Sequence, residues 1–295
     1  MKKHLFANIA LLLCAGMAQA QLIYWNMPAS AEQVVFGQGC LIQSEMQQGL
    51  LLNPAPLGFV RYRNFSASGI QWWQDVYGCS AGFTQPAKNY GTFAMSLSYW
   101  SLGTVTEISD GGQPLGTIQS QSISVILGYG LAVYQTWGLG LDLKASRLNL
   151  PGRYDWGWSS DLAVSYKRDN YTGSIMIRDL GPDYPRNSNI SYPLNTSYIA
   201  GLKAVFLKGK LSGSLQYSLP RDGRSYPSVS VDITPVPAFS LKLGYENDQE
   251  LEERSPLGLG VEVRKLGRTD LSVIYGFRSY GVLGNIQALT MGIYF

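Results

Sequence analysis

From about residue 62 onward, the chain falls into segments of roughly ten residues in which apolar side chains alternate with small or polar ones. In the clearest example, Leu257, Leu259, Val261 and Val263 alternate with Gly258, Gly260, Glu262 and Arg264. A period of two places successive side chains on opposite faces of a β-strand. One face of such a strand can contact lipid, and the other cannot.

Segments of this kind number about fourteen, and most are bounded by Gly, Pro, Asn or Asp. They are predicted near 62–71, 75–84, 91–102, 117–130, 135–148, 154–167, 170–179, 195–207, 209–219, 226–234, 238–247, 256–265, 268–279 and 285–295. An even number is what a closed antiparallel barrel requires when both ends lie on one side. The pattern therefore predicts an all-β fold, a closed antiparallel transmembrane β-barrel of about 14 strands over residues 61–295.

A soluble β-sandwich also alternates, but it would show water a face rich in Lys and Glu. Here the polar face is mostly Gly and Ser with scattered charge, as expected of a barrel lumen. The chain also ends on Met291, Ile293 and Phe295, with Thr290 and Gly292 between apolar positions. This ending resembles the signal read by the outer-membrane insertion machinery. Both features favour the barrel and predict that machinery and outer-membrane lipid as partners.

The first twenty residues have the pattern of a secretory signal peptide. Lys2 and Lys3 precede an apolar stretch over 5–13, and small residues occupy Ala18 and Ala20. The apolar stretch is too short to span a bilayer. Residues 1–20 are therefore predicted to be removed on export, and the mature chain is predicted to lie in the outer membrane.

The charge balance and the histidine content exclude several functions. Loss of Lys2 and Lys3 with the signal leaves 21 basic against 20 acidic residues, which gives no basic field for nucleic acid. The single histidine, His4, also lies in the signal. Its loss excludes the Ser-His, Cys-His and His-metal arrangements of most hydrolases and metalloenzymes. No pair of acids stands out for a carboxylate-only hydrolase. We expect no enzyme, no catalytic residue, no metal and no cofactor.

Composition also argues against a helical membrane protein, because no run of about eighteen apolar residues follows the signal. Charged residues make up 15% and aromatics 12% of the chain, which suits a lipid-facing barrel. Many aromatics fall near segment ends, where interfacial anchoring is favoured over a carbohydrate platform. Trp100, Trp137, Trp156, Trp158 and Tyr245 belong to this set. Whether Cys40 and Cys79 pair stays open.

Several charged residues fall on the inward phase of the predicted strands. They could form a ligand or partner site, or they could neutralise one another in a water-containing lumen, and mutual neutralisation is favoured. The predicted lumen-facing charges are Asp142, Lys144, Asp161, Lys242, Glu246, Glu262, Arg264, Asp270 and Arg278.

Residues 21–60 do not alternate, and the close prolines Pro54 and Pro56 cannot sit in a central strand. The segment is either a loose periplasmic tail or a plug folded into the barrel. Its apolar content favours the plug, because an exposed tail would leave that surface in water.

Here the sequence resembles the FadL-like barrels, which close their lumen with such a segment. Residues Gly37 and Gly39, then Asn53, Pro54 and Ala55, carry this part of the likeness. The run 90–99, followed by Gly103, Asp110, 115–117 and 126–130, is more specific and is similar to the PorV/PorQ branch of these barrels. The opening 24–31 looks more like PorQ than PorV. Paired acids often precede the Asn-Pro-Ala turn in the family, whereas this chain has only Ser44 and Glu45.

The resemblance implies a non-enzymatic barrel of a type IX-like secretion system that handles or attaches exported proteins. Its partners would be other secretion-system proteins and their cargo. The wider FadL-like group implies an alternative, the transport of hydrophobic small molecules across the outer membrane. A shared fold does not choose between these functions.

Overall fold

The computed structural model describes residues 27–43, 52–72, 75–108, 113–150, 153–182, 184–187, 190–192, 194, 196–247, 255–265, 270–281 and 284–295. The predicted signal peptide, residues 1–20, lies outside the described residues. Within the described ranges, no helix is long and apolar enough to cross a membrane.

The described strands are almost all long and sequential. They are β1 Asn64–Gln71, β2 Val76–Pro86, β3 Thr92–Ile108, β4 Pro114–Val133, β5 Trp137–Leu150, β6 Arg153–Arg168, β7 Tyr171–Leu180, β8 Tyr184–Asn187, β9 Ile190–Tyr192, β10 Ser197–Phe206, β11 Leu211–Pro220, β12 Tyr226–Val236, β13 Phe239–Glu246, β14 Leu257–Lys265, β15 Asp270–Ser279 and β16 Asn285–Tyr294.

Fourteen of these strands close into an antiparallel barrel, and β8 and β9 form a separate two-stranded sheet. Each barrel strand pairs with its neighbours in sequence, except that β10 pairs with β7 across the β8–β9 excursion. The last strand closes on the first, with Met291 opposite Ala67 and Ile293 opposite Phe65. The predicted closed 14-strand barrel is therefore confirmed.

The alternation sorts residues to the two faces of the wall. On β14, Leu259 and Val263 are 51% and 55% exposed on the outer surface, whereas Glu262 is 1% exposed inside. An apolar outer face around a closed barrel meets lipid without leaving an unpaired strand edge. The chain is an outer-membrane β-barrel.

Connection lengths orient the barrel. At the end where Arg63 and Phe295 exchange two backbone hydrogen bonds, the connections between consecutive barrel strands run from two to five residues. At the other end, 181–196 and 247–256 are much longer. Outer-membrane barrels have short periplasmic turns and longer extracellular loops. The Arg63 end is therefore periplasmic, and we call its turns the periplasmic rim.

The N-terminal segment has short helical pieces inside this barrel. They are an α-helix Ala31–Phe36, a 3-10 turn Gly37–Gly39, a short α-helix Cys40–Gln43 and a 3-10 helix Ala55–Phe59. Leu41, Ala55 and Leu57 are buried, as are five of the six side chains of the first helix at 3% exposure or less. The described pieces contact the inner face of the barrel. Because 21–26 and 44–51 lie outside the described residues, a plug over the whole of 21–60 stays a prediction.

Candidate functional site

The Ala31–Phe36 helix begins at Ser30, whose hydroxyl accepts a hydrogen bond from the backbone N–H of Gln33 at 3.2 Å. The Gln33 side chain bonds back to the N–H of Ala29. Such reciprocal capping satisfies backbone donors that a short helix leaves unpaired. It allows six residues to form a helix inside the lumen.

The helix lies against the inner face of β12–β16, which we call the charged wall. Glycines make the close approach possible, because a Cβ at Gly244 or Gly258 would overlap the backbone carbonyl of Val35. A Cβ at Gly276 would lie 2.5 Å from the carbonyl oxygen of Ala31. Thr290 accepts a hydrogen bond from the N–H of Ala31 at 2.8 Å. The helix backbone therefore touches the wall directly.

Arg278 holds the same helix by its last carbonyls. Its Nε donates to Val34 O at 3.0 Å, and its Nη2 donates to Val35 O at 2.7 Å. Its Nη1 lies 3.2 Å from Glu246 Oε2, with both side chains 1% exposed. A cation at the end of a helix satisfies carbonyls that have no partner within the helix.

A second cation, Lys242, joins the helix to three strands. Its Nζ lies 3.2 Å from Glu32 Oε1 and 2.6 Å from Asp232 Oδ2. It also lies 3.0 Å from Glu262 Oε2, and Arg264 Nε lies 2.6 Å from Glu262 Oε1. Lys242, Glu32 and Glu262 are each at most 2% exposed at the side chain. Buried charges of this kind are tolerated only when they are paired.

The second described piece, 52–60, lies against the inner face of β4 and β5. It contacts these strands at Gly130, Gly138 and Gly140, and we call this surface the glycine wall. A Cβ at Gly140 would overlap the backbone of Pro54 and Ala55. A Cβ at Gly130 would lie 2.5 Å from Leu57 Cβ, and one at Gly138 would lie 2.5 Å from Ala55 O. This contact depends on shape rather than charge.

Hydrogen bonds of Asn53 complete the second attachment. Its Nδ2 donates to Ser174 Oγ at 3.0 Å, and its Oδ1 accepts from the N–H of Ala55 at 3.3 Å. The second bond fixes the start of the following 3-10 turn, since Asn side chains favour such turns. The Asn-Pro-Ala motif thus has a local structural role.

A separate ionic group lies on the extracellular side of the glycine wall. Lys144 Nζ is 2.7 Å from Asp161 Oδ2 and 2.8 Å from Asp179 Oδ1. Asp179 adopts a positive φ of 57°, and its N–H donates to Asp161 Oδ1 at 2.8 Å. Asp142 is fully buried beside this group, and neither of its carboxylate oxygens accepts a hydrogen bond from the described residues.

The lumen-facing charges predicted from the sequence therefore fall at three places. The charged wall carries Lys242, Glu246, Glu262 and Arg278. Arg264 lies at the edge of this wall and is 33% exposed at the side chain. Asp142, Lys144 and Asp161 lie together on β5 and β6, and Asp270 is half-buried at the start of β15. Gly37 takes a positive φ of 58° where the first helix ends, and Gly39 lies near Ser228 and Ser230. Their roles in function stay predictions.

Three C-terminal residues follow the predicted phase. Met291, Ile293 and Phe295 are 49%, 37% and 55% exposed on the outer surface. Cys79 is a free cysteine on the same outer face. Trp100 departs from the interfacial role, since it is 3% exposed and packs in the lumen against Trp72 with ring centroids 5.5 Å apart.

Sequence reasoning missed Glu32, Asp232, Asp179 and Thr290. Asp232 follows the alternation of Val229, Val231 and Ile233, so the phase used for the other charges would have found it. The helix that bears Glu32 carries a capping signal, Ser30 followed three residues later by Gln33. No group of three or more His, Cys, Asp or Glu that could hold a metal ion occurs among the described residues.

Comparison with solved structures finds the same barrel fold in several outer-membrane proteins. The chain is similar to the toluene transporter TbuX of Ralstonia pickettii, with a TM-score of 0.58, 11% identity, and 92% of this chain and 98% of that chain covered. It is similar to a FadL homologue of Pseudomonas aeruginosa, with a TM-score of 0.55, 10% identity and coverage of 94% and 99%.

A third similar structure is a mutant of the monoaromatic hydrocarbon channel TodX, with a TM-score of 0.54, 14% identity and coverage of 90% and 97%. At these identities the likeness shows a FadL-like fold and no more. No family model and no curated protein sequence matches the chain.

Proposed function

We propose that this barrel moves small apolar molecules across the outer membrane, as a FadL-like channel does. The observation that carries the proposal is a lumen occupied by a segment of the same chain that is held by reversible contacts. Ion pairs, hydrogen bonds and van der Waals contacts can break and reform, so the segment can move to let a solute pass. A segment fixed permanently in the lumen would block the solute.

Apolar side chains surround the contacts between the N-terminal segment and the barrel, and they determine which solutes can take their place. Apolar side chains of the segment and of the strands pack in one buried cluster around Val35, Phe36, Met176 and Ile199. A second apolar cluster joins Ala31 and Val34 to Trp100 and Tyr280. A solute that replaces these contacts must itself be apolar.

The neighbouring folds support the same proposal. TbuX is a toluene transporter, and TodX and CymD are monoaromatic hydrocarbon channels. Each covers at least 90% of this chain and at least 97% of its own length. The same arrangement of strands would suit this chain for solutes of that class.

A second candidate is the handling of exported proteins in a type IX-like secretion system. The resemblance of 90–99 and of the later motifs to PorV/PorQ favours it. The position of Val35 and Pro54 against the two walls supports it as well, because it leaves the rims as the more accessible surfaces. Secretion components and cargo would then bind the loops rather than the lumen.

One deletion strain distinguishes the two. We expect uptake of toluene and of long-chain fatty acids to fall in the strain that lacks the gene, and to recover with the wild-type gene. Uptake of a hydrophilic sugar through porins serves as the control and should not change. Surface proteins should be exported and processed normally.

The opposite pattern would replace the channel with the secretion role. In that case cargo proteins would stay unattached, unprocessed or periplasmic, while uptake of apolar solutes would match the wild type. Affinity purification from detergent extracts should then recover other secretion components together with the barrel.

A further inference from the structure

The two rims of the barrel differ in their charge. Six basic residues are exposed on the periplasmic rim, at its turns or beside them: Arg61, Arg63, Lys88, Lys208, Lys210 and Lys265. None of the six takes part in an ion pair within the described part of the chain. At the extracellular rim, by contrast, the exposed Arg221 and Arg224 are accompanied by the exposed acids Asp75 and Asp222.

Acidic side chains do not balance the periplasmic rim. Among the described residues at this end there are two acids at the rim: Asp270 is half-buried at the start of β15, and the exposed Asp169 lies 3.9 Å from Arg168, which adds a seventh basic residue. Lys167 is directed instead toward the N-terminal segment, with its ammonium 5.7 Å from the centre of the Phe59 ring. The described part of the rim therefore carries an excess of basic over acidic side chains and presents a positive field.

The basic residues are spread around the barrel rather than gathered on one side. They lie before β1, between β2 and β3, between β10 and β11, and at the end of β14. Lys88 and Lys208 adopt positive φ angles of 50° and 57° at the tips of their turns. A partner that meets all of them must surround the barrel.

Aromatic side chains mark the depth of this ring. Tyr62, Tyr90, Tyr134 and Tyr171 lie at the same end and are 69%, 76%, 88% and 55% exposed. Tyr side chains gather where hydrocarbon meets headgroups. The basic groups next to them would therefore lie at the level of the lipid phosphates.

We propose that the periplasmic rim binds the anionic phospholipid headgroups of the leaflet that surrounds it. Charge complementarity favours these lipids over zwitterionic ones, and their ring-shaped distribution matches the distribution of the cations. Each Lys or Arg near an anionic surface raises its affinity roughly fivefold at low salt. The preference should weaken as salt rises, because these side chains are exposed and screened. The proposal holds for either candidate function.

The test uses the full mature barrel in nanodiscs of phosphatidylcholine and phosphatidylglycerol, with retained lipids counted by native mass spectrometry. The wild type should keep phosphatidylglycerol in excess of its share of the bilayer. The variant Lys88→Gln, Lys208→Gln, Lys210→Gln, Lys265→Gln should lose most of that excess, at least tenfold at low salt by the same electrostatic scale. Replacing the same four residues with Arg should preserve it.

A matched control neutralises the extracellular rim with Arg221→Gln and Arg224→Gln, which should leave the lipid ratio unchanged. Heat-modifiable migration on a gel checks that every variant is folded. The proposal fails if the wild type retains both lipids in proportion, or if the four glutamines leave the excess intact. It also fails if the rim shows no lipid preference but binds an acidic periplasmic peptide in a lysine-dependent manner.

Discussion

The charged wall and the glycine wall hold neighbouring parts of one segment by different means. On the charged wall, Lys242 and Arg278 contact the Ala31–Phe36 helix through an ion pair and two carbonyls. On the glycine wall, Gly130 and Gly140 admit the Pro54 turn because they have no side chain. The first attachment therefore depends on paired charge, and the second depends on shape.

This difference decides what could release each part. A buried charge left without its partner is costly, so losing one member weakens the whole charged network. A shape-based contact has no such partner and can be disturbed only by added volume or by a lost neutral hydrogen bond. A partner that competes for one cation would thus free the helix while the Pro54 turn stays in place.

The largest effect is expected for Lys242→Met. It removes the cation that contacts both the buried Glu32 and the half-buried Asp232, so the free energy of unfolding should fall by about 3–5 kcal/mol. Urea unfolding in detergent micelles, followed by Trp fluorescence, measures this change. Lys265→Met, on the outer surface and without a charged partner among the described residues, should change it by less than about 0.5 kcal/mol.

The same variant should expose the helix and not the turn. Reporter cysteines at Val34→Cys and Pro56→Cys, in a background without Cys40 and Cys79, measure the rate of maleimide labelling at each part. We expect Lys242→Met to speed labelling at position 34 alone. Equal acceleration at both positions would mean that the two walls act as one unit.

An intermediate effect is expected for Gly140→Ala. The added Cβ would overlap the backbone of Pro54 and Ala55, which cannot move aside as a flexible side chain could, so the cost should be about 1–3 kcal/mol. Gly173→Ala provides the control, because nothing lies within 4 Å of its Cβ position. Labelling at position 56 should rise in the first variant only. Unchanged labelling there would show that the glycine wall does not hold the Pro54 turn.

The sequence predicted the barrel well because every spanning strand obeys the same physical demand. Lipid requires apolar side chains at alternate positions, and Leu257 to Arg264 meets that demand over the whole of β14. The predicted segments accordingly match the fourteen barrel strands. Beyond the membrane the demand ends, so the continuation of β3 to Ile108 and the β8–β9 sheet carried no such signal.

The candidate site was only half predictable for the same reason. Lys242, Glu262 and Arg278 lie on strands whose phase points them inward, so alternation found them. Glu32 comes from a segment without alternation, and no period relates it to Lys242, which is 210 positions away in the chain. The glycine wall depends on which backbone approaches Gly140, and alternation along β5 carries no information about the position of Pro54 and Ala55.

The smallest effect is expected for Ser174→Ala, which tests whether the shape-based attachment also needs its hydrogen bond. The variant removes the hydroxyl that accepts from Asn53 Nδ2 at 3.0 Å and that also hydrogen-bonds to Ser165 Oγ at 2.9 Å, so stability should fall by about 1–2 kcal/mol. Ser214→Ala is the matched control, because it removes a Ser–Ser hydrogen bond to Ser230 at 2.5 Å and leaves Asn53 untouched. Both variants should lose similar stability, but only Ser174→Ala should speed labelling at position 56. The loss of this neutral bond leaves the charged pairs around Lys242 intact. Labelling at position 34, which those pairs hold, should therefore stay unchanged. If Ser174→Ala and Ser214→Ala label alike at position 56, glycine packing alone holds the turn, and Asn53 serves only to shape it.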